Sequence, residues 1–271
     1  MPRWPPPYKA ALSLTMDNLG EAQSVLHGTW PHAIGSDPAI TTTLPRMLSL
    51  LANHSVRATY FAEAWSLPVY PSAVQSLVSG GHEVAWHGYQ HEVWSGLREG
   101  EEEENFRQSW EVANNEGVRY QGFRPPGGRV NERTWGLLRE HGMGYVSPLG
   151  KLGVGKERVV VLPFEWRAVD AFWYMEKFAG IRREHGEGEG VLGPKEFGSW
   201  LMARVDEVVR TGGYMSVLFH PFLQTSEERL AVMEEVVKRI AEDGEIWVAP
   251  CREVAEWVRA HPDEFGSTDT L

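Results

Sequence analysis

A single cysteine, Cys251, stands in 271 residues, so no intrachain disulfide framework exists and a reducing compartment is allowed. Positive charge is scarce: 26 Lys and Arg against 37 Asp and Glu leave a net charge of −11. That balance argues against a nucleic-acid surface and against binding to an anionic membrane. No apolar run approaches the length of a bilayer span. Met1-Pro2-Arg3-Trp4-Pro5-Pro6-Pro7 lacks the apolar stretch of a secretory signal, and Asp269-Thr270-Leu271 is no clear peroxisomal address. The expectation is a cytoplasmic protein, with secretion through an unseen leader left open. A Gly-rich dinucleotide turn and a phosphate-cradling Gly-Lys-Ser/Thr loop are both missing, which disfavours nucleotide chemistry. No segment repeats at a fixed period.

What is present supports a sizeable core. The apolar share of 42% is ordinary for a globular protein, and residues 1–271 are read as one catalytic domain. Apolar runs at 10–16, 58–61, 83–86, 122–124, 144–147, 159–162, 215–219 and 245–248 predict strands. Helical periodicity or composition at 42–53, 70–78, 101–115, 131–140, 194–210, 226–241 and 252–260 predicts helices between them, with Asn131 as a cap. Such alternation favours a parallel barrel or an open doubly wound sheet. The run Glu101 to Glu104 suggests a solvated helix start, and residues 167–193 an irregular, mobile flap. Twelve Trp is many, and several are candidates to line a pocket.

Polar clusters follow several of the strands, as they do where an α/β fold builds an active site. His87 and His91 are four residues apart, so one helical turn would put both rings on one face, where two imidazoles can share a metal ion. Two packed histidines would show the same spacing. Asp17, at the end of the first strand, is a candidate metal ligand or general base. Asn18 beside it offers an amide oxygen. Arg124 can hold a carboxylate through a bidentate pair. The Pro125-Pro126-Gly127-Gly128 turn behind it can aim the Gly127 N–H at a developing oxyanion. His220 ends a buried strand, where it can protonate a leaving amine or simply be a satisfied core histidine.

Taken in order, these clusters resemble the polysaccharide deacetylase family, carbohydrate esterase family four, over about residues 10–221. His87 and His91 match its His-x-x-x-His motif. Arg124, Pro126 and Gly128 match Arg-x-Pro-x-Gly, and Val217-Leu218-Phe219-His220 is close to Leu-x-x-His. The resemblance implies a distorted (β/α) barrel of seven or eight parallel strands and a metal-dependent N-deacetylation. It implies Asp17 as base, His220 as acid and His87 and His91 as ligands to one divalent metal, zinc expected, with cobalt, manganese or nickel as alternatives. It also implies that Arg124 holds Asp17 and that Gly127 contributes to an oxyanion hole.

The first motif departs from the family pattern. Thr-Phe-Asp-Asp is replaced by Thr15-Met16-Asp17-Asn18, and in the related Asp-x-Asp-Gly-Glu alignment the ligand position is Leu19. Three readings stay open: Asn18 ligates, Asp17 ligates and another residue is the base, or the site holds metal poorly. The Leu162-Pro163-Phe164-Glu165-Trp166 segment with Asp170 resembles the allantoinase-like and cyclic-imide-hydrolase branch, which implies that Trp166 and Asp170 lie at the pocket. The expected function is hydrolysis of an amide C–N bond, foremost N-deacetylation of an N-acetylglucosamine oligosaccharide, as in chitin deacetylases. The alternatives are an intracellular hydrolase of a small cyclic or linear amide, and a non-catalytic carbohydrate-binding relative. The expected partner is a small-molecule or oligosaccharide substrate, with neither nucleic acid nor membrane, and self-association open.

Overall fold

In the computed structural model, which describes residues 3–268, the strands are β1 (Ala10–Asp17), β2 (Thr59–Ala62), β3 (Glu83–Trp86), β4 (Gly122–Phe123), β5 (Tyr145–Val146), β6 (Gly153–Val154), β7 (Val160–Val161), β8 (Tyr214–Phe219) and β9 (Ile246–Val248). The sequence readings at Met1, Pro2 and residues 269–271 lie outside the described residues. The sheet runs β6-β7-β5-β4-β3-β2-β1-β8. β9 pairs with the first half of β1, Ala10 opposite Ile246, below the point where β2 joins at Thr15 opposite Thr59. Among the described residues, only β6 is antiparallel to its neighbour. One parallel bridge, Val169 with Leu218, joins the segment after β7 to β8. The result is a distorted, curled half-barrel of mostly parallel strands with one short antiparallel addition.

β1 is buried along its whole length, because a barrel strand has an inner and an outer face that are both covered. Its alternation separates two cores. Leu12, Leu14 and Met16 pack outward against the helices, while Ala11 packs inward with Phe61, Ala85, Tyr145 and Val160. The helix Cys251–Ala260 closes the lower mouth with Cys251, Val254, Ala255 and Val258. Higher in the lumen the inward side chains turn polar, from Ser13 and Thr15 to Asp17. Among the described residues no helix is long and apolar enough to cross a membrane.

Three expectations need correction. The helix expected to start at Asn131 begins at Thr134. The Asn131 amide is engaged elsewhere, by Glu102 at 2.6 Å and the Trp94 carbonyl at 3.0 Å. Glu102, read as part of a solvated run, is fully buried and also accepts from Thr134 Oγ1 at 2.8 Å. The segment 167–193 contains short helices, Asp170–Tyr174 and Ala179–Glu184, too brief to show a period. Buried Arg182 ties it together by donating to the carbonyls of Met175 and Glu189, both at 2.8 Å.

Most of the tryptophans also serve packing. Trp86 lies in an aromatic cluster with Trp94, Phe106, Trp110 and Phe123, ring centroids 4.4–5.3 Å from its own. That cluster underlies the loop that follows β3.

Candidate active site

The first residue after a parallel strand stands at the mouth of the barrel, and here that position is repeatedly polar. Asp17 ends β1, Glu63 follows β2, His87 follows β3, Arg124 follows β4, Ser147 follows β5 and His220 follows β8. Pairing of Asp17 with Phe61 and of Trp86 with Ala62 and Phe123 brings these strand ends to one level. They surround a cup of about 290 Å³ whose lining includes Asp17, Asn18, His87, His91, Arg124 and His220. A larger surface concavity, about 970 Å³ between the helices at 44–53 and 71–79, has no comparable convergence of ionic groups.

Arg124 is the centre of the constellation. It is buried, and its guanidinium donates to Asp17 Oδ1 at 2.8 Å, Thr15 Oγ1 at 2.9 Å, Ser216 Oγ at 2.9 Å and Ser147 Oγ at 3.0 and 3.3 Å. All five N–H groups are engaged, so its orientation is fixed. The pair with Asp17 uses one carboxylate oxygen rather than the bidentate fork expected from the sequence. Three hydroxyls take the other donors, and Asp17 Oδ2 is left facing His87 Nε2 at 3.7 Å.

His87 and His91 converge without a helical turn. Gly88 at φ 83° and His91 at φ 69° fold the loop, and Glu92 clamps it by accepting from the amides of Tyr89 at 3.0 Å and Gln90 at 2.9 Å. Asn105 accepts from the same Tyr89 amide at 2.9 Å. A non-glycine residue in the left-handed region costs energy and persists where its surroundings over-determine it. The two rings end 4.9 Å apart. His87 donates from Nδ1 to the Arg124 carbonyl at 2.7 Å, which leaves its Nε2 lone pair on the pocket side. Burial holds His87 down to about 3 against the opposing hydrogen bond to the Arg124 carbonyl, and burial beside His87 holds His91 well below the usual histidine value. Both rings are therefore neutral near pH 7, the form that ligates metal.

Asn18 lies at φ 66° and directs its amide nitrogen to Glu63 Oε1 at 2.9 Å. Glu63, His87 and His91 each offer a ligand atom, all within 4.8 Å of one another. Two nitrogen donors and a carboxylate, the first histidine oriented by a carbonyl, fit a zinc-type divalent ion. On the opposite wall His220 Nδ1 meets Asp170 Oδ1 at 2.5 Å, while Asp170 Oδ2 accepts from the His220 amide at 2.7 Å and from Gln224 Nε2 at 2.6 Å. Asp170 is fully buried, so it stands behind His220 rather than lining the cup. Trp166 does line it, edge-on to Phe164 and tilted against Phe178 at centroid distances of 5.4 and 5.2 Å. The Gly127 N–H, on a backbone at φ 84°, has no hydrogen-bond partner among the described residues.

Glu63, Glu92, Gln224 and Gln23, which contacts His91 Nδ1 at 2.8 Å, went unread in the sequence. For Glu63 the one sequence signal was its position, weak by itself. It follows a strand just as His87 and His220 do.

The sequence profile of the polysaccharide deacetylase family matches residues 30–146, which hold His87, His91 and Arg124 but neither Asp17 nor His220. A peptidoglycan deacetylase of Helicobacter pylori is 24% identical over 234 residues, 76% of this chain and 80% of the relative. The crystal structure of a putative polysaccharide deacetylase from Mycobacterium smegmatis superimposes with a TM-score of 0.81 at 28% identity, covering 99% of this chain and 95% of that one. An allantoinase structure shares the fold at a TM-score of 0.79 and 19% identity, over 96% of this chain and 94% of that one. A profile matched over residues 30–146, a relative aligned along most of its length and a fold shared end to end make this chain similar to the polysaccharide deacetylases.

Proposed function

We propose that this protein hydrolyses the amide C–N bond of an N-acetylated amino sugar, releasing acetate and the free amine. The observation that carries the proposal is the opposition of two differently prepared groups across one cup. Asp17 is held by Arg124 on one wall, and His220 is held by Asp170 on the other. The profile match and the deacetylase relative support the reaction class.

A divalent ion, zinc being the expected one, held by His87 and His91 with an oxygen ligand, supplies Lewis acidity for the acyl carbonyl and for the attacking water. Asp17 takes the proton of that water through Oδ2, the oxygen that Arg124 leaves free. The Gly127 N–H donates to the carbonyl oxygen as negative charge grows there. When the C–N bond breaks, His220 gives the amine its proton from Nε2, because Nδ1 is held by Asp170. Water thus supplies the hydroxyl of acetate and, by way of the two side chains, the proton of the amine.

The cup favours a compact acyl amine. Met175, Phe178 and Ile181 of the 167–193 segment line it, and it encloses only about 290 Å³. That roof also favours a second reading, hydrolysis of a small cyclic or linear amide. Acetate release from chitin oligomers, assayed beside turnover of cyclic imides and ureides, separates the two. The proposal expects chelator-sensitive acetate release restored by zinc and abolished in Asp17→Asn. Turnover of imides alone moves the assignment to the second reading, and undiminished activity of Asp17→Asn removes the base from the scheme.

A further inference from the structure

Just behind the cup wall, next to Asn18, the end of strand β2 places a carboxylate that the reaction above does not use. Glu63 is fully buried, and its oxygens meet only neutral donors, Asn18 Nδ2 at 2.9 Å on Oε1 and the Leu19 amide at 2.8 Å on Oε2. Among the described residues no lysine or arginine pairs with it, and the buried guanidinium of the site is spent on Asp17, Thr15, Ser147 and Ser216. A buried carboxylate without a counter-charge is costly, and chains retain one where a cation compensates it.

The neighbours of Glu63 are neutral imidazoles, which cannot serve as counter-charge but can serve as co-ligands. On β1, where the family resemblance puts an anionic third ligand, this chain has Asn18 and Leu19. Leu19 is fully buried and apolar, and the Asn18 amide nitrogen is committed to Glu63.

We propose that Glu63 is the anionic metal ligand of this protein: the carboxylate has moved from β1 to the neighbouring strand β2, and Asn18 and the Leu19 amide hold it in place. Each carboxylate oxygen accepts one hydrogen bond and keeps a lone pair for coordination. Two ligands on one tetrahedral zinc ion stand about 3.4 Å apart. The present spread of up to 4.8 Å therefore requires the three side chains to close by up to about 1.4 Å, within the reach of side-chain rotation. His91 reaches coordination through Nε2 once the Gln23 amide presents its oxygen to Nδ1, a flip that leaves heavy-atom positions unchanged.

The inference rests on the metal site of the proposed reaction, and its test uses zinc binding rather than turnover. Chelator-stripped protein is titrated with zinc against a chromogenic chelator, and bound metal is counted by elemental analysis. Wild type is expected to bind about one zinc per chain. Glu63→Gln, which removes the charge and keeps the shape, is expected to weaken binding by more than the roughly 10–100-fold that follows loss of an outer-shell partner. Its metal-free melting temperature should equal or exceed that of metal-free wild type. Wild-type zinc affinity in Glu63→Gln overturns the proposal.

A crystal structure of zinc-loaded wild type gives an independent measurement. Zinc within about 2.2 Å of a Glu63 oxygen supports the assignment. Zinc bound with Glu63 still engaged only by Asn18 and Leu19 overturns it. Zinc held by Glu63 without acetate release refutes the proposed reaction and leaves the ligand standing. Acetate release with wild-type zinc affinity in Glu63→Gln does the reverse.

Discussion

Arg124 shows how much of the site depends on single side chains. Its guanidinium lies 4.1 Å over the Phe61 ring, and its hydrogen bonds tie β4 to β1, β5 and β8. Arg124→Met would keep much of the volume but strand the Asp17 carboxylate in a buried position. Removing one partner of such a pair costs about 3–5 kcal/mol, and urea unfolding should show a loss of that size. Asp170 acts one step further from the reaction, by fixing the ring of His220 through Nδ1. Asp170→Asn is expected to lower kcat by about 100-fold or more, with KM and zinc content unchanged. Unaltered kcat would mean that His220 needs no such support.

At the scale of elements, the turn after β4 separates backbone strain from steric collision. Gly127 and Gly128 both have positive φ, 84° and 79°. A Cβ on Gly127 would meet nothing within 4 Å, whereas one on Gly128 would lie 2.9 Å from Phe164 Cζ and 3.0 Å from Leu149 Cγ. Gly127→Ala should therefore cost only the backbone penalty of about 1–2 kcal/mol, and Gly128→Ala should melt lower still. Thermal denaturation of the two variants side by side decides the point. The segment 167–193 is the other element that shapes the cup, through Phe178 and Ile181. Replacing both by alanine should raise KM for a small N-acetylated amine and improve the relative turnover of longer oligomers. Unchanged ratios would show that the roof does not restrict length.

For the molecule as a whole, metal and pH should both register in stability. An ion that binds only the folded chain stabilises it by about 2.7 kcal/mol at a hundred times its dissociation constant, so chelation should lower the melting temperature. Acid should do so as well, partly through a group far from the cup. His82, at the start of β3, accepts from the Ala58 amide at 3.0 Å through Nδ1. Burial, with Arg57 adding to it, lowers its pKa from the ordinary 6.5. As pH falls through that value the unfolded chain takes up a proton that the folded chain resists, so stability is present above it and lost below. In melting curves from pH 7.5 down to 5.5, His82→Asn should flatten part of this fall, since Asn Oδ1 can accept the same bond. An identical slope in the variant would place the acid sensitivity elsewhere.

The sequence by itself determined the alternation of strand and helix, the barrel class and the polar residues that end β1, β3, β4 and β8. Each is a local signal: an apolar run, a break, and a residue whose chemistry does not belong in a core. Three things were left to the tertiary structure. Whether Arg124 holds Asp17 with one oxygen or two depended on Thr15, Ser147 and Ser216, which come from three different strands. Asp170 was read as a pocket wall because only packing against the His220 amide and Gln224 puts it behind the histidine. Glu63 escaped notice because a carboxylate after a strand is ordinary in sequence. It becomes unusual only when the pairing of β2 between β1 and β3 buries it beside two imidazoles without a cation. Local chemistry fixes which groups are available, and strand order fixes which of them must answer for one another's charge.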